Sequence, residues 1–371
     1  MIYWLYKFLE PTLQSWGIYL IAWPSVRAVA AILTSVIIVL LAGPRVIRWL
    51  IRKKLGDRPE FYVQSLNERM KSKANTPTMG GLLISGAIGL SILLWADLSN
   101  TFIRMGLFCL LWLGVLGGVD DYLKLTHRPE DKRSRDGLKL WEKLLFQIGL
   151  AVLLGVFVYH YVGNIVPAHS LSLPFYKHPL TLSYWAFVGI TVLVITATSN
   201  AVNLTDGLDG LASGCVGVCS LAFLALTYIA GSAVWSKLLH VPYVPTSSEL
   251  MVLCGAITGA ALGFLWYNCH PAQVFMGDTG SLPLGGMLGF VAIVIRQEMM
   301  LFFIGGIFVI EAVSVIIQII YFKRTGKRFF LVAPIHHHFH MKGWAENQVV
   351  VRFWIIAAAC VALALATLRM R

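Results

Sequence analysis

Apolar runs of roughly 20 residues recur from one end of this 371-residue chain to the other, and each is long enough to cross a bilayer as a helix. Ten such runs are legible, near 20–42, 79–96, 104–119, 143–162, 182–198, 211–230, 248–266, 282–295, 300–321 and 348–368. The third and eighth are the shortest. The pattern predicts an all-α, polytopic membrane bundle forming one transmembrane domain over 1–371. Only 13% of the residues are charged, against about 25% in a soluble domain, so a soluble fold is excluded. Long continuous runs, rather than alternating ten-residue segments, exclude an outer-membrane barrel. The first run has no small-residue cleavage site and reads as a retained span rather than a signal peptide.

The net charge of +12 is concentrated in alternate loops. Arg45, Arg48, Arg52, Lys53, Lys54, Arg58, Arg69, Lys71 and Lys73 lie between the first two runs. Lys124, Arg128, Lys132, Arg133, Arg135 and Lys139 lie between the third and fourth, with Lys143 opening the fourth. Lys323, Arg324, Lys327, Arg328 and Lys342 lie between the last two, while the opposite loops hold little beyond Lys177, Lys237 and Arg296. Positive residues mark cytoplasmic loops, so loops 1–2, 3–4, 5–6, 7–8 and 9–10 are expected to face the cytoplasm and both termini the outside. The excess is then a topological signal and an attraction for anionic headgroups, with no nucleic acid required. Cys109, Cys215, Cys219, Cys254, Cys269 and Cys360 show no paired spacing, so neither a disulfide framework nor a zinc site is expected. Cys215 and Cys219 read as small packing residues.

A transporter places ionisable groups near the middle of its spans. Here they gather at the cytoplasmic ends: Asp120 and Asp121 in GGVDDYLKL, Asp206 and Asp209 in NAVNLTDGLDG, Asp278 in NCHPAQVFMGDTGS, and His336, His337 and His338 in APIHHHFHMKGW. Each has a plain alternative as solvated surface or turn. Adjacent carboxylates at a helix C-terminus, however, oppose the helix dipole, which argues against chance placement. Asp206 and Asp209, three apart, share a face of any helix that starts there. Gly277 and Gly280 leave room beside Asp278 for a phosphate or a metal. Imidazoles donate hydrogen bonds, carry charge near neutral pH or ligate metals, but without Cys or HxxH spacing a structural zinc site is not expected. Together these groups suit an anionic, magnesium-bound substrate. Glu311, deep in the ninth run, reads as structural, with a partner such as Arg352.

The segments TPTMGG (Thr76–Gly81), VDDYLK (Val119–Lys124), NAVNLTDGLDG (Asn200–Gly210), PAQVFMGDTGS (Pro271–Ser281) and APIHHH (Ala333–His338) resemble the phospho-N-acetylmuramoyl-pentapeptide-transferase family, within the polyprenyl-phosphate N-acetylhexosamine 1-phosphate transferases. The resemblance covers nearly the whole chain. It implies ten transmembrane helices in the bacterial inner membrane and a cytoplasmic active site built from loops near 50–78, 120–142, 199–210, 267–281 and 322–347. It implies transfer of the phospho-sugar from UDP-N-acetylmuramoyl-pentapeptide to undecaprenyl phosphate, giving lipid I and UMP, with magnesium as cofactor and a homodimer as the assembly. Residue by residue, it makes Asp278 the magnesium ligand and Asp120 and Asp121 the catalytic aspartate pair. Lys73, Lys124 and Lys143 fall near nucleotide and phosphates, Asn203, Asp206 and Asp209 on the uridine side, and Asn268 and Phe275 at the uracil pocket. His336, His337 and His338 fall at the sugar–phosphate side. The family usually carries a Glu two residues after the triplet, where this chain has His340. Direct attack by the lipid phosphate, with Asp120 taking the proton, is preferred over a covalent aspartyl intermediate. A sister transferase using UDP-N-acetylglucosamine and a flippase without chemistry are the competing readings.

Overall fold

The computed structural model describes residues 1–15, 19–53, 73, 76–126, 137–163, 170–174, 176 and 180–370. Lys54, Arg58, Arg69, Lys71, Arg128, Lys132, Arg133, Arg135 and Lys177 lie outside the described residues. Helix α1 (Ile2–Ser15) precedes α2 (Pro24–Arg52), α3 (Gly81–Trp95), α4 (Thr101–Thr126) and α5 (Leu140–Gly163). A two-stranded antiparallel ribbon, β1 (Ser170–Leu171) with β2 (Leu180–Thr181), leads to α6 (Tyr184–Thr205), α7 (Leu211–Gly231) and the short α8 (Ala233–Leu238). Then follow α9 (Leu250–Asn268), α10 (Asp278–Val294), α11 (Glu298–Ile304), α12 (Gly306–Thr325), α13 (Ile335–Met341) and α14 (Glu346–Ala366).

Eight of these helices are long and apolar enough to cross a membrane, and α3 and α10 are shorter apolar helices. The chain is thus an all-α, multi-pass membrane protein. Outward faces are apolar, as at Leu41, Leu111, Val115 and Trp266, which suits contact with lipid rather than water.

Several boundaries differ from the sequence expectation: the first span, expected to end at 42, runs to Arg52, and the fifth, expected to end at 198, runs to Thr205. The third span, expected at 104–119, runs on to Thr126, because Lys124 lies one turn after Asp120 and pairs with it on the same helix face. The ninth, expected as one run over 300–321, is broken into α11 and α12 at Gly305, where a residue without a side chain lets the axis change. Helix α1, with one apolar face, lies before the first run; its Tyr3 ring lies under the Arg27 guanidinium, 3.9 Å away, and its Lys7 is 3.8 Å from Asp97.

At the centre stand α9 and α10. Helix α9 carries glycines at every fourth position on the face toward α2. A Cβ on Gly255 would lie 2.5 Å from the Ala28 carbonyl oxygen, and one on Gly259 2.2 Å from that of Ile32. Small residues at this spacing let two backbones approach in a bilayer, where dispersion rather than the hydrophobic effect drives association. Helix α10 is buried along its whole length, with α4 and α6 packed against it. At the opposite end from the aspartates, Arg27 donates to Glu249 Oε2 (2.8 Å) and to the Trp95 carbonyl (3.1 Å). Glu249 also accepts the Asp97 amide at 2.6 Å, so a paired buried charge ties α2, the α3–α4 connection and the start of α9 together.

Candidate active site

The site is assembled where the N-terminus of α10 meets the C-terminal turns of α4 and α6. The TPTMGG segment first fixes the preceding chain: the Phe275 amide donates to the Pro77 carbonyl, the Gly80 amide to the Phe275 carbonyl and the Gly81 amide to the Met276 carbonyl, each at 2.8 Å. Helix α4 then comes so close to α10 that a Cβ on Gly117 would lie 2.1 Å from the Asp278 carbonyl oxygen. The glycines of these motifs therefore set the distance between the helices that carry the aspartates.

The two adjacent aspartates have different surroundings. Asp121 caps α10: its Oδ1 accepts the Asp278 amide (3.1 Å), and its Oδ2 accepts the Thr279 amide (2.9 Å) and hydroxyl (2.6 Å). A carboxylate at a helix N-terminus satisfies unpaired amides and meets the positive end of the dipole. Asp120, fully buried, accepts the Leu138 amide at Oδ1 (2.8 Å), and its Oδ2 lies 2.7 Å from both Lys124 and Lys143. Lys143 also donates to Asp278 Oδ2 at 2.6 Å, with Lys124 3.3 Å away, and Asn203 donates to Asp278 Oδ1 at 2.7 Å and to the Ser281 hydroxyl at 2.9 Å. Asp120, Asp121 and Asp278 bring carboxylate oxygens within 4.8 Å of one another. An all-oxygen, all-carboxylate donor set fits a hard divalent cation such as magnesium.

Beside this cluster lies a cavity of about 260 Å³, bordered by Lys73, Thr78, Asp121, Lys124, Asn203, Asp206, Asp209, Asn268, Phe275 and Asp278, among others. Asp120, Lys143 and the three histidines do not border it. Asn268 is largely committed to scaffold: its Oδ1 accepts the Gly210 amide and the Ser213 hydroxyl, and its Nδ2 donates to the Val274 carbonyl.

The histidines divide their work. His336 and His337 stand behind the cavity wall: a Cβ on Gly207 would lie 2.3 Å from His336 Nε2 and 3.2 Å from His337 Nε2. His338 instead accepts the Leu331 amide at Nδ1 and packs edge-on against Phe330. Burial, with His336, His340 and Lys73 nearby, holds the His337 imidazole far below its ordinary 6.5, so it is neutral near pH 7. His340 is buried as well. Glu311 does not pair with Arg352, whose guanidinium lies over the Trp344 ring at 4.0 Å; its Oε2 faces His336 Nδ1 at 3.1 Å, both side chains fully buried. The expected partner failed because the short α13 folds back and brings the imidazole to the carboxylate.

Residues given no role from the sequence complete the site: within the five motif segments Thr78 on the wall, Thr279 on Asp121, Ser281 on Asn203 and Gly207 against the histidines, and outside them His270 and Glu346 around Asp209 and Lys73. Glu346 had one sequence signal, a carboxylate in the first turn of the last span.

Asp206, which follows α6, has its carboxyl raised from 3.8 to about 7, first by burial and then by the Asp278 and Asp121 carboxylates. Between 3.8 and about 7 the folded chain keeps a proton that the unfolded chain has released, so stability falls as pH rises through that window and levels off above it. Asp206→Asn is expected to flatten the fall of the thermal midpoint across this range, measured in detergent with EDTA. Parallel profiles for both proteins contradict this assignment.

The clustered carboxylates and lysines beside a polar cavity lie within a bundle of membrane helices whose residues 103–296 match Glycosyl transferase family 4, which makes the chain a membrane-embedded transferase. Residues 73–84 match Phospho-N-acetylmuramoyl-pentapeptide-transferase signature 1. Over 353 residues, 94% of each chain, the sequence is 46% identical to the phospho-N-acetylmuramoyl-pentapeptide-transferase of Desulfotalea psychrophila (strain LSv54 / DSM 12343). The chain belongs to the phospho-N-acetylmuramoyl-pentapeptide-transferase family and is a phosphotransferase.

Proposed function

We propose that this enzyme transfers phospho-N-acetylmuramoyl-pentapeptide from its UDP-linked donor to undecaprenyl phosphate, releasing UMP and leaving lipid I in the bacterial inner membrane. The observation that carries this reading is the convergence of Asp120, Asp121, Asp278, Lys124 and Lys143 in one cluster, of which Asp121, Lys124 and Asp278 border a polar cavity. The basic loops argue for ten spans with this face in the cytoplasm and both termini outside, and the apolar outward faces suit a homodimer. An apolar cavity of about 410 Å³ between α6, α11 and α12, bordered by Ile190, Val194, Phe302, Phe308 and Val313, suits an isoprenoid tail.

An oxygen of the lipid phosphate attacks the sugar-linked phosphorus of the donor. A new P–O bond forms, the bond to the UMP phosphate breaks, and UMP leaves with the electron pair. Asp120 takes any proton on the attacking phosphate, since Asp121 is engaged in capping α10. Asp278, with the aspartate pair, would hold the magnesium ion, which neutralises charge on the diphosphate. Lys124 and Lys143, gathered at Asp120 and Asp278, supply the positive charge that meets the phosphates. Lys73 and the Asn203–Asp209 loop take the nucleotide side, Phe275 and Asn268 frame the uracil, and His337, as a neutral imidazole, serves as a hydrogen-bonding group behind Gly207.

UMP release from the purified enzyme with magnesium and both substrates is the test, and EDTA is expected to abolish it. No UMP from this donor, but UMP from UDP-N-acetylglucosamine, moves the chain to the sister activity; none from either favours the flippase. UMP release without lipid phosphate overturns direct attack in favour of the covalent aspartyl route.

A further inference from the structure

We propose that Glu346 is a positioning residue for the donor site: with Asp209 it holds Lys73 at the cavity wall. This rests on the reading that the cavity takes the UDP-linked donor. Lys73 Nζ lies 2.6 Å from Asp209 Oδ1 and 2.5 Å from Glu346 Oε1, and all three side chains are nearly sealed from solvent. An ammonium has three donors, so two are spent on the carboxylates and one is left for a ligand in the cavity that Lys73 borders. A lysine on a flexible four-carbon stem is a poor locator of charge unless both its angle and its distance are fixed.

The same Glu346 oxygen accepts the Asp209 amide at 2.9 Å, so one atom orients both the lysine and the backbone of the NLTDGLDG loop. On the other side, Asp209 Oδ2 accepts the Ala272 amide at 3.1 Å and faces His270 Nδ1 at the same distance, while Glu346 Oε2 lies 3.5 Å from that nitrogen. Four segments remote in sequence therefore meet on Glu346: the approach to TPTMGG, the loop before α7, the loop before α10 and the start of α14. Glu346 does not itself border the cavity, and its place in the first turn of α14 suits an ionised carboxylate. It touches Lys73, not the donor.

The test is steady-state UMP release by the full chain in detergent, varying each substrate. Glu346→Ala is expected to raise the donor KM about tenfold, with kcat and the lipid-phosphate KM nearly unchanged. Glu346→Gln, which keeps the acceptor oxygen but not the charge, falls between; it carries the test if the alanine variant does not fold. In a Lys73→Met background, adding Glu346→Ala raises the donor KM by clearly less than it does in the wild type, because most of its effect passes through the lysine and only the bond to the Asp209 amide is left to lose. A general staple would instead lower kcat or multiply the two losses, and either result overturns the proposal, as does an unchanged donor KM. A wild-type protein that neither binds nor turns over the UDP-linked donor overturns this inference together with the reading it rests on.

Discussion

Asp278→Asn is expected to lower kcat by about a thousandfold while leaving the protein folded. The side chain is the meeting point of the site: Lys143 and Lys124 approach one oxygen and Asn203 donates to the other. An asparagine has the same size but one amide nitrogen, and whichever way it turns it sets a donor against a donor. Turned one way the nitrogen faces the lysines; turned the other it faces Asn203. The metal-holding set also drops from three carboxylates to two. Stability responds differently, because the terms oppose one another. Loss of a negative charge in the first turn of α10 costs roughly 0.3–1 kcal/mol, and loss of its pairing with Lys143 and Lys124 adds to that. Removing one of three crowded carboxylates, however, relieves repulsion, and Lys143 and Lys124 keep Asp120 as a partner. A thermal midpoint close to wild type with turnover gone is the expected pair of readings. Turnover within tenfold of wild type removes Asp278 from the centre of the chemistry.

The aspartates were legible in the sequence because they gather at one end of the apolar runs, and an adjacent pair at a helix C-terminus opposes the helix dipole. Their separate roles were not. Asp120 and Asp121 are neighbours in the chain, but successive helical residues point about 100° apart, so one turns toward the lysines and the other toward the start of α10. The same geometry divides the histidine triplet. On the seven-residue α13 three consecutive side chains cannot share a face: His336 and His337 both stand against Gly207, His336 also facing Glu311, while His338 turns away to the Phe330 ring. That much follows from helical periodicity alone once the triplet is placed on a helix. The identity of the partners does not, since Thr279, Glu346 and Gly207 come from segments whose approach is decided by packing. Span boundaries failed for a related reason. Hydropathy stops at the first carboxylate, whereas α4 continues through Asp120 and Asp121 because every one of those charges has a partner.

The glycines beside the aspartates lead to the second large effect, at Gly117. In an exposed helix, replacing glycine by alanine gains roughly 1 kcal/mol from backbone entropy. Gly86, on α3 with nothing within 4 Å of its would-be Cβ, is where that gain is expected. At Gly117 the added carbon would sit 2.1 Å from the Asp278 oxygen, 2.4 Å from its carbonyl carbon and 2.7 Å from the Thr279 nitrogen, all backbone atoms. No rotamer change relieves such a clash, so α4 and α10 must move apart by about 1 Å, and overpacking of this kind costs about 1–3 kcal/mol. Asp120 and Asp121 lie one turn along the same face as Gly117, so they travel with α4 while Asp278 and Thr279 stay with α10. The three bonds of the Asp121 cap lengthen, the carboxylates separate, and a misplacement of that size lowers kcat by about a hundredfold. Gly117→Ala is therefore expected to lose both turnover and thermal midpoint, with Gly86→Ala at or above wild type in both. Wild-type turnover in Gly117→Ala would mean that the spacing of α4 and α10 does not set the carboxylate geometry, and the glycines of this motif would then need another explanation.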